Sequence, residues 1–437
     1  MTTPADVTSD LAAVYRREVG RCTATLIRVL GDVDLAEDAV AEAFVIASER
    51  WAAHRCSPNP GGWITTTARR RAIDRLRREA RRDDRHRAAH RLHGGDSTMD
   101  SEMDGGDMDD GLPLPYLDEL LDVVADDQLR LMFLCCHPAL GADARVALTL
   151  RLLGGLSTPE IARAFLVPEA TMAQRIVRAK RKLRDNHAGY RIPRAAELPD
   201  RLPAVLAAIS LIYTEGHTAT AGDELTRTDL ADEAVRLARV LVELMPDEPE
   251  AVGLLALLVL SESRRPARLD AEGAMVRLSD QDRALWDRRL IREAHDLVRA
   301  CLRRNQPGPF QIQAAIAAVH ADARSAADTD WSQIVALYDQ LHARRPDAVV
   351  AVNRAIAVGE WRGAEAGMAA LDELGDETPE GYLPYLAARA DLLRRTGRRA
   401  EALATYDRAV DATSNTTERE FLVRRRDELR AITTPPG

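Results

Sequence analysis

The residues best suited to chemistry are basic side chains without acidic neighbours. Between positions 171 and 184 there are six Lys or Arg residues and no Asp or Glu. One helical face would carry the polar side chains Thr171, Gln174, Arg175, Arg178, Arg181 and Lys182. Because an ordinary solvated face mixes both charge signs, this face is predicted to bind a polyanion.

A second basic stretch, ARRRAIDRLRREARR at 68–82, has eight arginines in fifteen positions. Asp74 lies four residues from both Arg70 and Arg78, so two ion pairs could absorb part of this charge. Trp63 and three threonines precede the arginines in GGWITTTARR. An aromatic ring beside arginines suits a nucleic-acid strand whose bases stack or insert while its phosphates are held.

The first basic face needs a helix from about Glu169 to position it. The apolar stripe of that helix is Met172, Ile176, Ala179 and Leu183. Upstream, Ser157 can cap a helix containing Ile161, and LVP at 166–168 turns the chain between the two. Two short helices, the second basic on its outer face, predict a helix-turn-helix that reads a major groove.

The arginine stretch follows two predicted helices within 10–56, which are separated by GDVD at 31–34. SPNPGG at 57–62 then breaks the pattern before a third helix begins. In that helix Ala72, Ile73 and Leu76 are predicted to face the core, which leaves the arginines on the opposite arc.

The composition supports an all-α protein of several domains. The chain has 437 residues, of which 46% are hydrophobic but only 4% aromatic, and few β-branched runs. The net charge of -9 hides a segregated pattern, because 94–129 contains twelve acids and no Lys or Arg. The predicted parts are a helical domain at 10–92, an acidic flexible linker at 93–116, a helix-turn-helix domain at 117–190, and a helical domain at 200–432.

The last of these domains contains a sequence repeat. Tyr338–Asp339 and Tyr406–Asp407 are 68 residues apart, twice the 34-residue period of tetratricopeptide (TPR) repeats. Such repeats bury the apolar faces of helical hairpins only by stacking. A TPR-like domain is therefore predicted, and an irregular helical domain without true repeats is the alternative.

The order of these features closely resembles regions 2 and 4 of the extracytoplasmic-function sigma factors of bacterial RNA polymerase. The resemblance covers roughly 10–190 and depends on the acidic helix at 34–51, the segment at 59–78, the linker, and the helix-turn-helix. It implies that a docking surface for the largest polymerase subunit includes Glu37, Asp38, Glu42 and Phe44. It also implies that the −10 promoter element is opened and read by Trp63, Arg69, Arg70, Asp74, Arg75, Arg77 and Arg78.

The same resemblance implies that the −35 element is read by the second helix, through Thr171, Gln174, Arg175, Arg178, Arg181 and Lys182. Two departures from the family pattern occur. Ala41 replaces a usual Gln in the acidic helix, and ATMAQR at 170–175 replaces the usual recognition-helix motif. The promoter sequence that is read therefore need not be the common one.

The region from 200 to 430 resembles the C-terminal extension of one subgroup of these sigma factors. Runs such as ISLIYTEGHTATAGDEL and PGPFQIQAAIAAVHADA carry this resemblance, with Tyr213, Thr214 and His217 departing from the subgroup around a retained Glu215–Gly216. The resemblance implies a TPR-like domain that modulates activity within the same chain. Its contacts would be intramolecular or with a protein partner, and either activation or inhibition is compatible with the sequence.

Other candidate sites have simpler interpretations. Cys135–Cys136–His137 is predicted to serve packing rather than metal or redox chemistry, because no fourth ligand is evident. Glu215–Gly216–His217 is predicted to form a turn or an interdomain contact, since no nucleophile or phosphate loop is nearby. The longest apolar run, 251–260, is too short to span a bilayer. We therefore expect a cytoplasmic protein that is not an enzyme and has no cofactor, metal or membrane partner.

The sequence thus predicts a sigma factor that binds core RNA polymerase and promoter DNA, with activity modulated by a TPR-like domain. The main alternative is a helix-turn-helix regulator with a repeat-domain sensor that binds duplex DNA without polymerase. A third possibility is a TPR scaffold whose basic helices bind RNA or acidic proteins.

Overall fold

The computed structural model describes residues 4–53, 57, 59–92, 127–165, 167–186, 197–219, 221–222, 225–374 and 382–431. These residues are overwhelmingly helical, which confirms the predicted all-α class. The linker at 93–116 lies outside them. Among the described helices, none combines the length and apolar character that crossing a bilayer requires. The chain divides into two compact units, Met1–Ala208 and Ile209–Gly437.

The first unit begins with three helices that pack on one another: α1 (Pro4–Leu30), α2 (Val33–Ala53) and α3 (Pro60–Leu92). The predicted break between α1 and α2 is confirmed, because Gly31 has a φ of 71° and the Asp32 carboxylate accepts a hydrogen bond from the Leu35 amide at 2.9 Å. Their shared core includes Leu26, Ile27, Val40, Ile64, Ala68 and Ala72.

One core prediction for α3 is wrong. Leu76 is 44% exposed, and Ile73 is only half-buried, whereas Ala72 is 1% exposed. Among the described side chains of α3, the last buried apolar residue is therefore Ala72. The spacing of apolar residues predicted which face of α3 is buried, but it did not predict how far along the helix that burial extends.

Four shorter helices follow in the same unit: α4 (described over 127–135), α5 (Ala142–Leu152), α6 (Thr158–Ala164) and α7 (Glu169–Asp185). Ser157 caps α6 as predicted, because its hydroxyl accepts from the Glu160 amide while the Glu160 carboxylate accepts from the Ser157 amide at 2.7 Å. α6 and α7 pack together and on α5. This arrangement is the predicted helix-turn-helix.

The two helical groups of the first unit meet where α1 passes the end of α5. A Cβ on Gly20 would lie 2.8 Å from the Leu153 carbonyl oxygen, so only glycine permits this approach. Nearby, Arg28 in α1 pairs at 2.9 Å with Asp127, the first described residue of α4, whose side chain is fully buried. A buried carboxylate needs such a partner, so this ion pair links the two groups.

Within the described residues, the second unit contains the end of α8 (Leu198–His217), ten further α-helices and three short 3₁₀ helices at Arg265–Ala267, Arg283–Leu285 and Ala326–Asp328. The ten α-helices are α9 (Thr228–Leu244), α10 (Pro249–Ser263), α11 (Arg288–Arg304), α12 (Pro309–Asp322), α13 (Trp331–Arg344), α14 (Ala348–Arg362), α15 (Ala364–Asp372), α16 (Leu383–Arg395), α17 (Arg399–Ala412) and α18 (Thr416–Ala431). The parallel strands β1 (Ala221–Gly222) and β2 (Ser414–Asn415) join the beginning of this unit to its end.

Helix positions in the second unit follow the spacing noted in the sequence. The starts of α13 and α14 recur after 68 residues as the starts of α17 and α18, and each pair packs together. Met245 and Arg345 end their helices in the same way, with an amide that donates at 2.8 Å to the carbonyls of Leu241 and Leu341. One cluster of buried side chains joins α12, α13 and α14, and a second joins α14 through α18.

Candidate functional site

Helix α7 presents the predicted basic face because its opposite face is buried. Met172, Ile176, Ala179 and Leu183 are the buried side chains of α7, which confirms the predicted stripe. On the outer face lie the exposed residues Thr171, Gln174, Arg178, Arg181 and Lys182. Arg175 is half-buried, since its guanidinium pairs with Asp143 at 3.1 Å and lies 5.7 Å from the centre of the Phe165 ring. Five of the six predicted −35 residues therefore face solvent together.

The exposed surface of α7 also includes an apolar residue that sequence reasoning missed. Val177 is 64% exposed between the basic side chains. In a major groove, an aliphatic side chain can contact a thymine methyl group. The signal was present in the sequence, because Val177 falls outside the stripe of Met172 and Ile176.

The arginines of α3 form a second basic surface. Arg69, Arg70 and Arg77 are exposed, and none forms an ion pair within the described residues. Arg71 shares this exposure and was absent from the predicted set. Arg75 differs from the others because it pairs with Asp38 of α2 at 2.8 Å. Among the described side chains of α3, most of the positive charge is therefore available to an anionic partner.

Asp74 does not make the expected ion pairs. The Arg78 guanidinium instead donates to the backbone carbonyl oxygen of Asp74 at 3.2 Å, and no ion pair joins the Asp74 carboxylate to Arg70 or Arg78 in the described part of the chain. The spacing of four residues places Asp74 near both arginines. An exposed ion pair stabilises a helix little, so the carboxylate can remain in solvent. Asp74 lies exposed among the arginines.

Trp63 lies at the start of α3, where the NPGG segment positions it. Its ring packs on Trp51 with centroids 5.3 Å apart, and the residue remains half-buried. Asn59 caps the helix by accepting a hydrogen bond from the Gly62 amide at 3.0 Å. A Cβ on Gly61 would lie 2.5 Å from a carboxylate oxygen of Glu18, so any larger residue there would have to displace the Glu18 side chain.

The acidic helix α2 places its predicted docking residues in three different environments. Glu42 is exposed, and Asp38 is exposed while paired with Arg75. Glu37 is half-buried and accepts hydrogen bonds from Arg151 of α5 and Lys180 of α7. Only Glu42 among these carboxylates is both exposed and free of an ion pair within the described residues.

The predicted position of Phe44 on the docking surface differs from the structure. Its side chain is only 7% exposed and packs edge-on against Tyr15 with ring centroids 4.7 Å apart. Phe44 therefore belongs to the core between α1 and α2, because a large aromatic ring gains more from burial there than from exposure.

Lys180 of α7 is held by two carboxylates of α2 and does not face an outside partner. Its ammonium group lies 2.7 Å from carboxylate oxygens of both Glu37 and Asp34, and its side chain is 13% exposed. Burial disfavours the charged form, but the two carboxylates outweigh it and raise the pKa of Lys180. Arg184 adds a contact with Asp34 at 3.2 Å. No local sequence signal could predict these pairs, since the partners are more than 140 residues apart.

Neither of the simpler sequence motifs forms a reactive site. Cys135 and Cys136 are buried, and burial raises the pKa of the Cys136 thiol to about 11, so they pack rather than react. In the described residues no cluster of His, Cys, Asp and Glu could hold a metal ion. In the second unit, a Cβ on Gly216 would lie 2.3 Å from the Ala231 amide nitrogen, so Gly216 allows α8 to touch α9. Burial lowers the pKa of the adjacent His217 to about 2.

Three family models match the chain. Residues 14–82 match sigma-70 region 2, residues 130–183 match sigma-70 region 4, and residues 201–302 match a family of unknown function, DUF6596. The first two matches contain α3 and α7 respectively. No solved structure matches the chain.

The chain is also similar in sequence to proteins of two bacteria. An uncharacterized protein of Rhizobium meliloti is 41% identical over 424 residues, which cover 97% of this chain and 96% of the relative. A probable ECF RNA polymerase sigma factor, SigI, of Mycobacterium tuberculosis is 26% identical over 185 residues, which cover 40% of this chain and 55% of the relative. The chain therefore contains sigma-70 regions 2 and 4 in this order, and each region includes one of the two basic helices.

Proposed function

We propose that this sigma factor docks on core RNA polymerase through α2, captures the −10 element with α3 and holds the −35 element with α7. The second unit modulates this activity from within the same chain. The observation that carries the proposal is the pair of basic surfaces on α3 and α7, each presented by a buried apolar stripe. Arginine and lysine side chains on such surfaces provide the phosphate contacts that dominate affinity for nucleic acid.

The −10 role is assigned to the surface formed by Trp63, Arg69, Arg70, Asp74, Arg75, Arg77 and Arg78. The unpaired guanidiniums would hold phosphates of the opening strand. Trp63 lies at the start of the same helix, where a displaced base could stack on it. Arg75, which is paired with Asp38, contributes less charge than its neighbours.

The −35 role is assigned to the outer face of α7. Gln174 and Arg178 have the hydrogen-bonding groups that read base edges, while Arg181 and Lys182 near the helix end suit phosphates. The residue at 174 is Gln in a segment that departs from the family pattern, so the base preference is expected to depart as well.

Docking through α2 requires a rearrangement within the first unit. Asp34 and Glu37 are engaged by Lys180, Arg184 and Arg151 in this structure. A polymerase surface that uses these carboxylates must therefore compete with α5 and α7. Exposed Glu42 supplies a contact that needs no such release.

Regulation by the second unit is supported by its repeated hairpins. The 68-residue recurrence of α13 and α14 as α17 and α18 is the arrangement expected of a TPR-like array. Such arrays serve as interaction domains, so this arrangement supports a regulatory role in cis or through a protein partner. The DUF6596 match at 201–302 covers a different part of the unit.

The decisive experiment is purification of the full chain with core RNA polymerase, followed by run-off transcription on genomic DNA. A sigma factor should co-purify and permit initiation at defined promoters. Failure of both results would refute the proposal, and duplex binding without polymerase would favour the helix-turn-helix regulator instead. Binding without preference for a bipartite promoter would favour the scaffold.

A truncated chain tests regulation in cis. The first unit extends to Ala208, and Arg201 donates a hydrogen bond to the Phe133 carbonyl oxygen at 3.1 Å, so the truncation should keep residues through 208. We expect altered transcription with core binding largely intact. Identical promoter output from the truncated and full chains would refute regulation by the second unit.

A further inference from the structure

The second unit contains a cavity of about 460 Å³ that the sigma-factor role does not use. It is lined by the segment at 277–283 before α11, the end of α12, the first part of α13, and residues of α14, α16, α17 and α18. Its volume is in the range of pockets that enclose small organic ligands. Much of its wall is apolar, including Trp331, Ile334, Ile356 and Leu422.

A buried cation lines this cavity. Arg283 is only 6% exposed and its guanidinium donates to the carbonyl oxygens of His320 and Ala323 at 2.6 and 2.8 Å and to the Thr329 hydroxyl at 3.3 Å. In the described chain it has no carboxylate partner within 4.0 Å. Burial lowers its pKa, and the negative charge of Asp328 offsets only part of that effect. Because no carboxylate pairs directly with this buried charge within the described residues, an anion in the cavity would stabilise it.

The two acidic side chains that line the cavity do not fill this role. Glu360 pairs with Arg395 at 2.6 Å, and Asp391 pairs with Arg394 at 2.8 Å. Asp391 also lies 3.8 Å from Arg425, a second lining arginine. The acids at the rim are therefore already paired within the chain. The lining arginines Arg277 and Arg425 are paired as well, with Asp280 and Glu428, each at 2.8 Å. Arg283 is the lining charge that has no such partner within the described residues.

Two further polar groups in the wall lack partners. The Nδ1 atom of His320 is buried without a hydrogen-bond partner, and burial lowers the pKa of this imidazole to about 4, so the ring is neutral at pH 7. The Tyr338 hydroxyl makes no hydrogen bond within the described residues, and burial raises its pKa to about 12. The Tyr338 hydroxyl can hydrogen-bond to a guest. The Nδ1 atom of His320 has almost no accessible surface, so it would reach a guest only after the ring moves.

We infer that this cavity binds a small organic anion with an aromatic or apolar body. Its carboxylate, sulfonate or phosphate group pairs with Arg283, and its body packs against Trp331 and Ile334. Binding of such a ligand does not depend on the proposed sigma-factor function. If the second unit modulates transcription, this ligand is the signal that it senses.

A matched pair of fluorescent probes tests the inference on the full chain. 1-Anilinonaphthalene-8-sulfonate is anionic, and N-phenyl-1-naphthylamine has the same ring system without the sulfonate. We expect one saturable site per chain for the sulfonate, with at least about tenfold weaker binding of the neutral probe, because a charged hydrogen bond is lost. Equal affinity for both probes would overturn the claim that the site selects anions.

Two variants, each with a matched control, test where the probe binds. Arg283→Gln should weaken binding of the sulfonate about tenfold or more and leave the neutral probe unchanged. Arg408→Gln is the matched control, because Arg408 is exposed on α17 and does not line the cavity. Ala326→Trp should obstruct the rim and weaken both probes, whereas the exposed neighbour Ala327→Trp should weaken neither.

If Arg283→Gln loses its folded structure by circular dichroism, the two tryptophan variants still decide the question. Sulfonate binding that is unchanged in Ala326→Trp would place the probe elsewhere and refute the site. These are binding measurements, so their failure is distinct from a failure of transcription by the full chain.

Discussion

The basic surfaces of α3 and α7 differ in how much of their charge the chain itself neutralises. On α3, Arg69, Arg70, Arg71 and Arg77 are exposed without ion pairs in the described residues. On α7, Lys180 forms ion pairs with Asp34 and Glu37, and Arg184 forms an ion pair with Asp34. Arg175 forms an ion pair with Asp143. Only part of the α7 charge remains for an outside partner.

This difference explains why local charge counting is insufficient. The sequence between 171 and 184 contains no acid, which suggested that only a polyanion could neutralise it. The fold supplies carboxylates from α2 instead. Those carboxylates also belong to α2, the helix proposed to dock on polymerase. The ion pairs between α2 and α7 therefore occupy part of the proposed polymerase interface and part of the proposed −35 interface.

The largest expected effect comes from the free arginines of α3. The triple variant Arg69→Ala, Arg70→Ala, Arg77→Ala should reduce run-off transcription about 100-fold or more, if each lost phosphate contact costs about 1 to 1.5 kcal/mol. The slope of log affinity against log salt should fall by about 2 to 3. Arg408→Ala is the control, and core binding should stay unchanged. Near-normal transcription by the triple variant would remove α3 from the proposed interface.

A smaller effect is expected on α7, where free and paired arginines can be compared directly. Arg178→Ala should weaken binding to a −35 duplex about tenfold, since a good base contact is worth roughly 1 to 3 kcal/mol. Arg175→Ala should weaken it less, because Asp143 and Phe165 already hold that guanidinium. Fluorescence anisotropy with a labelled duplex measures both. Equal losses would show that intramolecular pairing does not limit the α7 surface.

The smallest effect should have the opposite sign. Lys180→Ala removes both of its ion pairs with α2 and should strengthen core-polymerase binding about threefold, which is roughly 0.6 kcal/mol. Glu37 keeps Arg151, so the variant leaves no bare buried carboxylate. Surface plasmon resonance with immobilised core polymerase measures the change.

Arg181→Ala is the matched control for Lys180→Ala. Arg181 pairs with Asp185 on the same helix at 3.5 Å, so its removal should not free α2. Core binding that is unchanged or weaker in Lys180→Ala would mean that the ion pairs between α2 and α7 do not compete with docking.

Much of the first unit was predictable because its local signals agree with its packing. The stripe of Met172, Ile176, Ala179 and Leu183, the Ser157 cap and the break at Gly31 were all predicted and are confirmed. Helical periodicity and capping depend on residues three or four positions apart, so sequence alone reveals them. The assignments of individual side chains to polymerase and promoter remain predictions.

The errors share one physical cause, which is that long-range partners carry no local signal. Leu76 was expected in the core and is exposed, while Phe44 was expected at an interface and is buried. Whether an apolar residue is buried depends on which other helices reach it. The cavity around Arg283 was missed for the same reason, since its wall comes from segments between 277 and 425.

The sequence by itself determined the helical class, the helix-turn-helix and the two basic stretches, because each depends on the spacing of neighbouring residues. Only the tertiary structure decided which charges are free. It paired Lys180 with Asp34 and Glu37 and left Arg69, Arg70 and Arg77 in solvent. Electrostatic interactions depend on distance in space, and folding brings together groups that are far apart along the chain.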